Sequence, residues 1–388
     1  MNKYCDALME VTDRPPVTMV SGSGSWLVDH TGKRYLDFVQ GWAVNCLGHA
    51  PEIVAQAAAA QARKLVSCSP AYYSEPMIKL ANLLVELSGL DKVFFANCGA
   101  EANEGAIKLA RKYGEKYRNG AYEIITLENS FHGRTLAAMS ASGKSAWKDL
   151  FEPKLPGFKK VPINDIDAMA NAIGSNTIAV MLEPIQGEAG IVAATQEYLH
   201  ALRELTRERG ILLILDEIQT GVGRTGSLFA YQRMGIEPDI VTLGKGLGGG
   251  VPLAALLAKR EVSCFDKGDQ GGTFSGNPLT TAIGYAVLSE IAKPEFLQNV
   301  ERTGDYLRAQ LQDLSQRFNL GEVRGEGLLL ALEIPAGDAE AIASAAFEAG
   351  LLINATRPTV LRLMPALNVS NEEIDLMVEK LADVIERD

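Results

Sequence analysis

Short apolar runs recur along the middle of the chain, and segments with helical periodicity separate several of them. The runs are rich in Ile, Val and Leu at successive positions, a pattern typical of strands buried on both faces of a mostly parallel sheet. Alternation of such strands with helices predicts a doubly wound α/β domain. In chain order the runs are KVFFAN, EIITLE, TIAVMLEP, ILLILDE, DIVTLG and PLAALLA, between residues 92 and 258.

Both flanks of this region have a different pattern. Residues 24–38 alternate apolar and polar positions around a Thr-Gly pair, which predicts a β-hairpin. Residues 50–66 and 75–89 have helical patterns, and the second helix is expected to stop at its final glycine. Beyond about residue 280, long helical segments followed by short apolar runs predict an α+β unit.

The length of the chain, 388 residues, is too great for one ordinary core, so we expect a large domain and a smaller one. We assign the large domain to residues 49–280. The hairpin is expected to join the C-terminal unit. The small domain is then discontinuous, built from residues 1–48 and 281–388.

Composition and charge limit the possible partners. The formal net charge is −11 and no basic run is present, so we expect no nucleic-acid partner. The N-terminal residues lack the apolar core of a signal peptide, and no stretch approaches 18 uncharged apolar residues, which predicts a cytoplasmic protein without a membrane segment. The five cysteines show no CxxC spacing and are interpreted as reduced, mostly buried thiols. The four histidines share no helix face, which predicts no metal site.

Polar side chains follow the apolar runs, at the point where each predicted strand ends. In an open α/β sheet, ligands bind beyond the carboxyl ends of the strands, so these side chains are expected to share one crevice. That crevice would combine a lysine, carboxylates, an arginine, an aromatic ring and a glycine turn that opens a helix. The residues are Asn97, Gly99, Ala100, Phe131, His132, Arg134, Glu183, Glu188, Asp216, Glu217, Gln219 and Lys245.

Lys245 lies in TLGKGLGGG, which three chemistries could use. A Walker A loop needs GxxxxGK[ST], and the spacing here does not match. The stretch GKGLGG matches the dinucleotide fingerprint GxGxxG, but a strand containing Pro252 is predicted to follow it where that fingerprint requires a helix. A lysine in a dry site with small neighbours can also act as a nucleophile toward an aldehyde. This third use is the one that the neighbouring strand ends favour.

The aldehyde cofactor of amine chemistry is pyridoxal phosphate, which needs an imine-forming lysine, an acidic partner for its ring nitrogen and a phosphate cradle. Lys245, Asp216 and the Gly99-Ala100 turn could supply these, with Phe131 stacked on the ring. Asp216 and the Gly99-Ala100 turn have plainer alternatives. Asp216 could be a structural cap or a Walker-B-type metal ligand, and Gly99-Ala100 could be an ordinary strand–turn–helix joint. The joint occurrence of all four is what predicts the cofactor.

Six motifs in one order resemble the class III pyridoxal-phosphate aminotransferases, especially the acetylornithine and ornithine aminotransferase branch. The resemblance extends from about residue 17 to the C-terminus and implies the fold-type-I α/β architecture, with a large domain around a mostly parallel sheet and a smaller α+β domain. The motifs are FFANCGAEANEGAIKLAR, NSFHGRT, EPIQGEAG, LILDEIQTGVGRTG, PDIVTLGKGLGGGVPL and GGTFSGNPL.

The resemblance implies a role for each matching residue at the cofactor. Lys245 would be the Schiff-base and proton-transfer lysine, and Asp216 would keep the ring nitrogen protonated. Gln219 would contact the phenolic oxygen, and Phe131 would stack on the ring with His132 beside it. The other residues implied to contact the cofactor are Gly99 and Ala100 at the phosphate, Glu183, Ile218, and Thr273 reaching across from the partner subunit of a homodimer.

The resemblance also implies a substrate site. Arg134 would bind a substrate carboxylate, and Gly272 would lie at the substrate end. Glu188 would mask Arg362 while an ω-amino donor is bound, and would release it for the two carboxylates of 2-oxoglutarate. A structural surface pair is the plainer alternative for these two residues.

Two stretches depart from the family pattern. Cys98-Gly99-Ala100 stands where Ser-Gly-Thr is usual, and Gly272 stands where Ser is common in the acetylornithine branch. The implied activity is transfer of the terminal amine of N-acetylornithine to 2-oxoglutarate. Ornithine, succinylornithine, 4-aminobutyrate or an aminomutase reaction are alternatives within the chemistry. A dinucleotide-dependent oxidoreductase and a non-catalytic relative are alternatives from other classes.

Overall fold

A computed structural model describes residues 7–335 and 338–387 of the chain. The strands are β1 Met19–Ser23, β2 Trp26–Asp29, β3 Arg34–Asp37, β4 Lys92–Ala96, β5 Glu123–Leu127, β6 Phe158–Val161, β7 Thr177–Leu182, β8 Ile185–Gln186, β9 Val192–Ala193, β10 Leu212–Asp216, β11 Ile240–Leu243, β12 Ala254–Ala258, β13 Val323–Glu326, β14 Leu329–Glu333, β15 Leu351–Leu352, β16 Asn354–Arg357 and β17 Val360–Leu363. The helices are α1 Gln40–Ala43, α2 Glu52–Ala62, α3 Glu75–Ser88, α4 Gly99–Tyr117, α5 Leu136–Ala141, α6 Ile166–Ala172, α7 Gln196–Arg209, α8 Ala230–Met234, α9 Pro278–Ile291, α10 Pro294–Phe318, α11 Ala339–Glu348 and α12 Asn371–Ile385.

The largest sheet has seven strands in the order β4-β12-β11-β10-β7-β5-β6. All of its strands run parallel except β12, which is antiparallel to both neighbours. The predicted mostly parallel α/β sheet is therefore confirmed. Strand β6 was not predicted, because its sequence FKKV has two exposed lysines at its centre. It pairs only with β5 at the sheet edge, where such lysines remain solvated.

Each strand of this sheet divides its side chains between two apolar layers. Ile214 packs with Ile107 of α4 on one face, whereas Leu213 and Leu215 pack with Leu202 of α7 on the other. This covering of both faces explains why the runs are apolar at successive positions. It confirms the doubly wound arrangement and leaves the strand ends as the accessible part of the sheet.

The predicted hairpin is confirmed as β2 and β3, which pair antiparallel. The carboxylate of Asp29 closes the turn by accepting hydrogen bonds from the backbone N–H groups of Thr31 and Lys33. Strand β15, from the far end of the chain, pairs parallel with β3. This pairing of the two chain ends supports the division into residues 1–48, 49–280 and 281–388, which stays a prediction.

Some helix boundaries differ from the prediction. Helix α3 ends at Gly89, which adopts a φ of 70°, as expected. Helix α2 ends at Ala62 rather than near residue 66, because Leu65 and Val66 are exposed and gain no core contacts there. Helix α4 begins at Gly99, so Gly99 and Ala100 form its first turn instead of preceding it.

The exposure of the cysteines also differs from the prediction. Cys46 and Cys264 are buried, but Cys68 is only half-buried and Cys98 is exposed. Cys98 is exposed because it precedes α4 at the end of a strand, where the crevice opens. Cys5 lies outside the described residues. Within residues 7–335 and 338–387, no helix is both long and apolar enough to span a membrane.

Candidate active site

The parallel strands bring their terminal polar residues together at one edge of the sheet, as predicted. Asp216 ends β10, Lys245 follows β11, and Glu183 follows β7. Phe131 and His132 lie on the loop between β5 and α5. Hydrogen bonds join these loops to one another, so the crevice is a connected network rather than a set of separate strand ends.

Asp216 is almost fully buried, with 4% of its surface exposed. One carboxylate oxygen accepts a hydrogen bond from Asn103 Nδ2 at 2.7 Å and lies 2.8 Å from His132 Nδ1. The other oxygen accepts the backbone N–H of Ile218 at 3.1 Å. Donors of this kind are what a buried carboxylate requires. No Lys or Arg of the described residues pairs with Asp216, so its negative charge remains available to a cationic ligand.

Asn103 belongs to the crevice but was not predicted from the sequence. It lies in α4, is fully buried, and accepts a hydrogen bond from Thr242 Oγ1 at 2.7 Å while donating to Asp216 and to the carbonyl of His132. An asparagine on the apolar face of a helix requires polar partners, so the sequence alone could have marked Asn103 as a candidate. Only the fold shows that those partners are the residues of the crevice.

His132 is held by three contacts around its backbone and ring. Its backbone N–H donates to Ser142 Oγ, its carbonyl accepts from Asn103, and its Nδ1 faces Asp216. With the proton assigned to Nδ1, the ring donates to the carboxylate, and the buried Nε2 has no partner among the described residues. The structure therefore places His132 beside Asp216, as a neighbour that orients the carboxylate.

Lys245 opens a short 3₁₀ turn, Lys245–Gly248, directly after β11. Its φ of 45° lies in the left-handed region, which is strained for a residue with a side chain and occurs often at functional sites. Burial, and then the positive charge of Arg362, lower the pKa of Lys245 to about 8. An amine with this pKa is about one-tenth neutral at pH 7 and can act as a nucleophile and a base.

Glu183 is buried and braces the loop that carries Phe131. Its carboxylate accepts the backbone N–H of Phe131 at 2.9 Å and of Gly187 at 3.3 Å. Burial raises the pKa of Glu183 to about 7, with His132 lowering it and Asp216 raising it. The sequence predicts Glu183 as a cofactor contact. The hydrogen bonds in this chain are to backbone, and they join the β5 and β7 loops.

Glycines permit two close contacts in the crevice. A Cβ at Gly99 would lie 2.7 Å from Ile218 Cδ1, and a Cβ at Gly187 would lie 1.6 Å from Gln219 Oε1. Larger residues at either position would displace Ile218 or Gln219. The Oε1 of Gln219 is buried against Gly187 and has no hydrogen-bond partner among the described residues.

The first turn of α4 faces the crevice with its backbone donors free. Cys98 at the N-cap makes no side-chain cap, and no backbone acceptor within the described ranges bonds the N–H groups of Gly99 and Ala100. Free N–H groups at the start of a 19-residue helix can bind an anion such as a phosphate. Together with Lys245, Asp216 and the unpartnered Gln219, these groups match the donors and acceptors of pyridoxal phosphate.

Two aromatic rings and two cations form one wall of the crevice. The rings of Phe131 and Trp147 lie 5.6 Å apart at 55°. The guanidinium of Arg134 lies 5.3 Å from the Trp147 ring centroid, and Lys144 Nζ lies 5.1 Å from that of Phe131. Arg134 is exposed and free to bind a carboxylate. Trp147 and Lys144 were not predicted, because they reach the site from a loop without a strand-end signal.

Glu188 and Arg362 form an ion pair in which the arginine is buried and the carboxylate is part-buried. Arg362 Nη1 lies 2.8 Å from Glu188 Oε1 and donates to the carbonyl of Gly187 at 3.1 Å. Lys144 Nζ lies 3.0 Å from the other oxygen of Glu188. Burial opposes ionisation of Glu188, but Arg362 and Lys144 together hold its pKa at about 2. The carboxylate is therefore charged throughout the physiological range.

Thr273 and Gly272 lie outside the network described above. Thr273 is exposed, as is the Phe274 side chain beside it, and neither residue makes a side-chain hydrogen bond within the described ranges. Trp42 is 54% exposed and has a left-handed φ of 62°.

The chain is similar to known proteins along almost its whole length. Residues 8–385 match the family described as aminotransferase class-III. An acetylornithine aminotransferase of Ralstonia nicotianae is 57% identical over 386 residues, which span 98% of this chain and 97% of the relative.

Solved structures agree with this similarity. The ornithine aminotransferase of Toxoplasma gondii has a TM-score of 0.94 at 32% identity, covering 98% of this chain and 93% of that one. An N-acetylornithine aminotransferase from Stenotrophomonas maltophilia has a TM-score of 0.85 at 37% identity, covering 96% of each chain. The fold and the sequence therefore lead to the same family.

Proposed function

Because the chain belongs to the class III aminotransferases, we propose that it transfers the terminal amino group of N-acetylornithine to 2-oxoglutarate. The products are N-acetylglutamate semialdehyde and glutamate. Enzymes of this family use pyridoxal 5′-phosphate, which supplies an aldehyde for the amine and a ring that accepts electrons from the amine-bearing carbon. The observation that carries the proposal is the position of Lys245, directly after β11, in one crevice with the buried carboxylate of Asp216.

Each residue of the crevice has a separate task in this proposal. Lys245 Nζ takes the proton from the amine-bearing carbon of the donor and returns a proton in the second half of the cycle. The Asp216 carboxylate, held by Asn103 and His132, keeps the ring nitrogen of the cofactor protonated. The Gly99 and Ala100 N–H groups would bind the phosphate, and Ile218 packs close to Gly99.

The other residues of the crevice hold the cofactor and the substrate in this proposal. Gln219 offers its unpartnered Oε1 and Phe131 offers its ring face, while Glu183 holds the Phe131 loop in place. Arg134 binds a substrate carboxylate as a guanidinium fork.

The Glu188–Arg362 pair serves as the gate between two kinds of substrate. With N-acetylornithine bound, Glu188 neutralises Arg362, so that only the Arg134 side of the site attracts a carboxylate. When 2-oxoglutarate enters, Glu188 leaves Arg362 and the freed guanidinium binds the second carboxylate. Gly272 and Trp42 lie at the substrate end of this site in the proposal.

We also propose a cytoplasmic homodimer in which each active site receives Thr273 from the partner. Tyr73 is 87% exposed and Phe274, next to Thr273, is 61% exposed. Large exposed aromatic side chains are typical of interfaces. Mixed dimers test this arrangement. K245A and T273A homodimers should both be impaired, and hybrids should recover one intact site. Hybrids that recover nothing would contradict the shared site.

The donor specificity is tested by steady-state kinetics with 2-oxoglutarate as acceptor. N-acetylornithine should give the highest kcat/KM among N-acetylornithine, N-succinylornithine, ornithine and 4-aminobutyrate. The variant K245A should have no activity with any of them. A higher kcat/KM for ornithine or 4-aminobutyrate would retain the aminotransferase and reject the proposed donor.

A further inference from the structure

The two carboxylate oxygens of Glu188 face different cations. Oε1 lies 2.8 Å from Arg362 Nη1, and Oε2 lies 3.0 Å from Lys144 Nζ. The gate proposed above uses only the first of these contacts. The second contact gives Glu188 a partner that does not depend on Arg362.

The two cations differ in their surroundings. The Arg362 side chain is 1% exposed and is also held by the carbonyl of Gly187 and by Asn354 Oδ1. The Lys144 side chain is 23% exposed and lines a cleft of about 620 Å³ with Trp147. Arg362 is therefore a fixed buried cation, whereas Lys144 is a cation at the edge of solvent.

Lys144 is nonetheless held in position. The N–H of the preceding Gly143 bonds to Ser130, which immediately precedes Phe131. The ammonium lies 5.1 Å from the Phe131 ring centroid and 5.3 Å from the Trp147 ring centroid. Cations at such distances from aromatic faces are attracted to them. Lys144 is thus fixed beside the ring that the proposed function places against the cofactor.

We propose that Lys144 is the positioning residue that holds Glu188 while Arg362 binds the dicarboxylate substrate, an inference that rests on the gate of the proposed function. Moving Glu188 off Arg362 would otherwise leave a part-buried carboxylate without a cation, which is strongly unfavourable. Lys144 removes this obstacle because it already touches the far oxygen of the same carboxylate. It therefore favours the open state of the gate and the 2-oxoglutarate half-reaction.

The variant K144M tests this role because methionine retains the length of the side chain and removes its charge. Single-turnover measurements on the holoenzyme follow the two half-reactions separately. The concentration of 2-oxoglutarate that half-saturates its half-reaction is expected to rise about tenfold, which corresponds to about 1.4 kcal/mol. The donor half-reaction is expected to change by less than about twofold, because Glu188 stays on Arg362 in that half.

A binding measurement gives a readout that does not depend on turnover. Glutarate has two carboxylates and no keto group, so its affinity for the holoenzyme reports the open gate alone. Calorimetry should show that K144M weakens glutarate binding about tenfold. K144R should bind glutarate almost as wild type does. K148M is the matched control, because Lys148 lines the same cleft and forms no ion pair within the described residues.

Two outcomes separate this inference from the gate itself. In an E188A background, K144M should have no further effect on glutarate affinity, because the two residues act through one carboxylate. If E188A alone leaves the relative affinities for donor and dicarboxylate unchanged, the gate is wrong. If E188A changes them while K144M changes neither half-reaction, or changes both equally, the role of Lys144 is rejected and the gate stands.

Discussion

Replacing Lys245 with methionine is expected to make the cofactor-free protein more stable. Methionine has nearly the length of lysine and no charge, and both residues would carry the same strained φ of 45° at this position. The main difference is therefore the charge of the ammonium. Burial of that charge, next to Arg362, is what lowers the pKa of Lys245 from 10.5 to about 8.

The size of the effect follows from this pKa difference. Each tenfold change in proton affinity is worth about 1.4 kcal/mol, so the protonated lysine destabilises the folded chain by about 3 kcal/mol at most. Below pH 8 both folded and unfolded chains are protonated, and the full penalty is present. As pH rises from about 8 toward 10.5, the folded chain loses its proton first and wild type regains stability. The advantage of K245M is thus expected to fall below about 1 kcal/mol near pH 10.

Urea unfolding of the cofactor-free proteins, followed by tryptophan fluorescence, measures this difference. The unfolding midpoints of wild type and K245M are compared at about pH 6.5 and about pH 10. K148M is the control, since Lys148 is exposed and its removal should give the same small difference at both pH values. If K245M is no more stable than wild type at the lower pH, or is more stable by the same amount at both pH values, burial of the lysine charge does not destabilise the folded chain.

Three further predictions concern neighbouring residues. Burial raises the pKa of Glu183 from 4.5 to about 7, so between these pH values the folded chain binds more protons than the unfolded chain. The Tm of wild type should therefore fall relative to that of E183Q as pH rises from about 4.5 to about 7. G99A should drive the new methyl into Ile218 and lower Tm by the equivalent of about 1–3 kcal/mol, and I218V should restore only part of the loss because Cγ2 would still lie 2.9 Å from the new methyl. N103A should remove a donor from the buried Asp216 and lower the pyridoxal phosphate affinity, measured by fluorescence titration, by about tenfold or more. Unchanged affinity in N103A would show that Asn103 does not support Asp216.

The sequence was sufficient for the parts of the site that follow strand ends. Parallel strands carry their terminal residues to one edge, so Asp216, Lys245 and Phe131 could be grouped without coordinates. The apolar runs also predicted the sheet, because burial on both faces leaves a pattern that hardly any other element produces. The glycine and the helical pattern after it predicted the start of α4 to within one or two residues of Gly99.

Other parts depend on tertiary contacts that leave no periodic signal. Asn103 and Lys144 come from a helix face and a loop, and their roles appear only when distant segments meet Asp216 and Glu188. The edge strand β6 was missed because its exposed lysines interrupt the apolar pattern. Helix α2 ends at Ala62, before the predicted end, because the residues beyond it make no core contacts. Local helix propensity does not predict such contacts.

The most direct test of the central claim is the absorbance spectrum of the purified protein during the two half-reactions. We predict a visible band from pyridoxal phosphate bound through Lys245. N-acetylornithine alone should remove that band, and 2-oxoglutarate should restore it, whereas K245A should show no such cycle. A visible band that N-acetylornithine leaves unchanged would reject the donor. A protein with no such band, even after incubation with pyridoxal phosphate, would contradict the account of Lys245 and of the crevice around it.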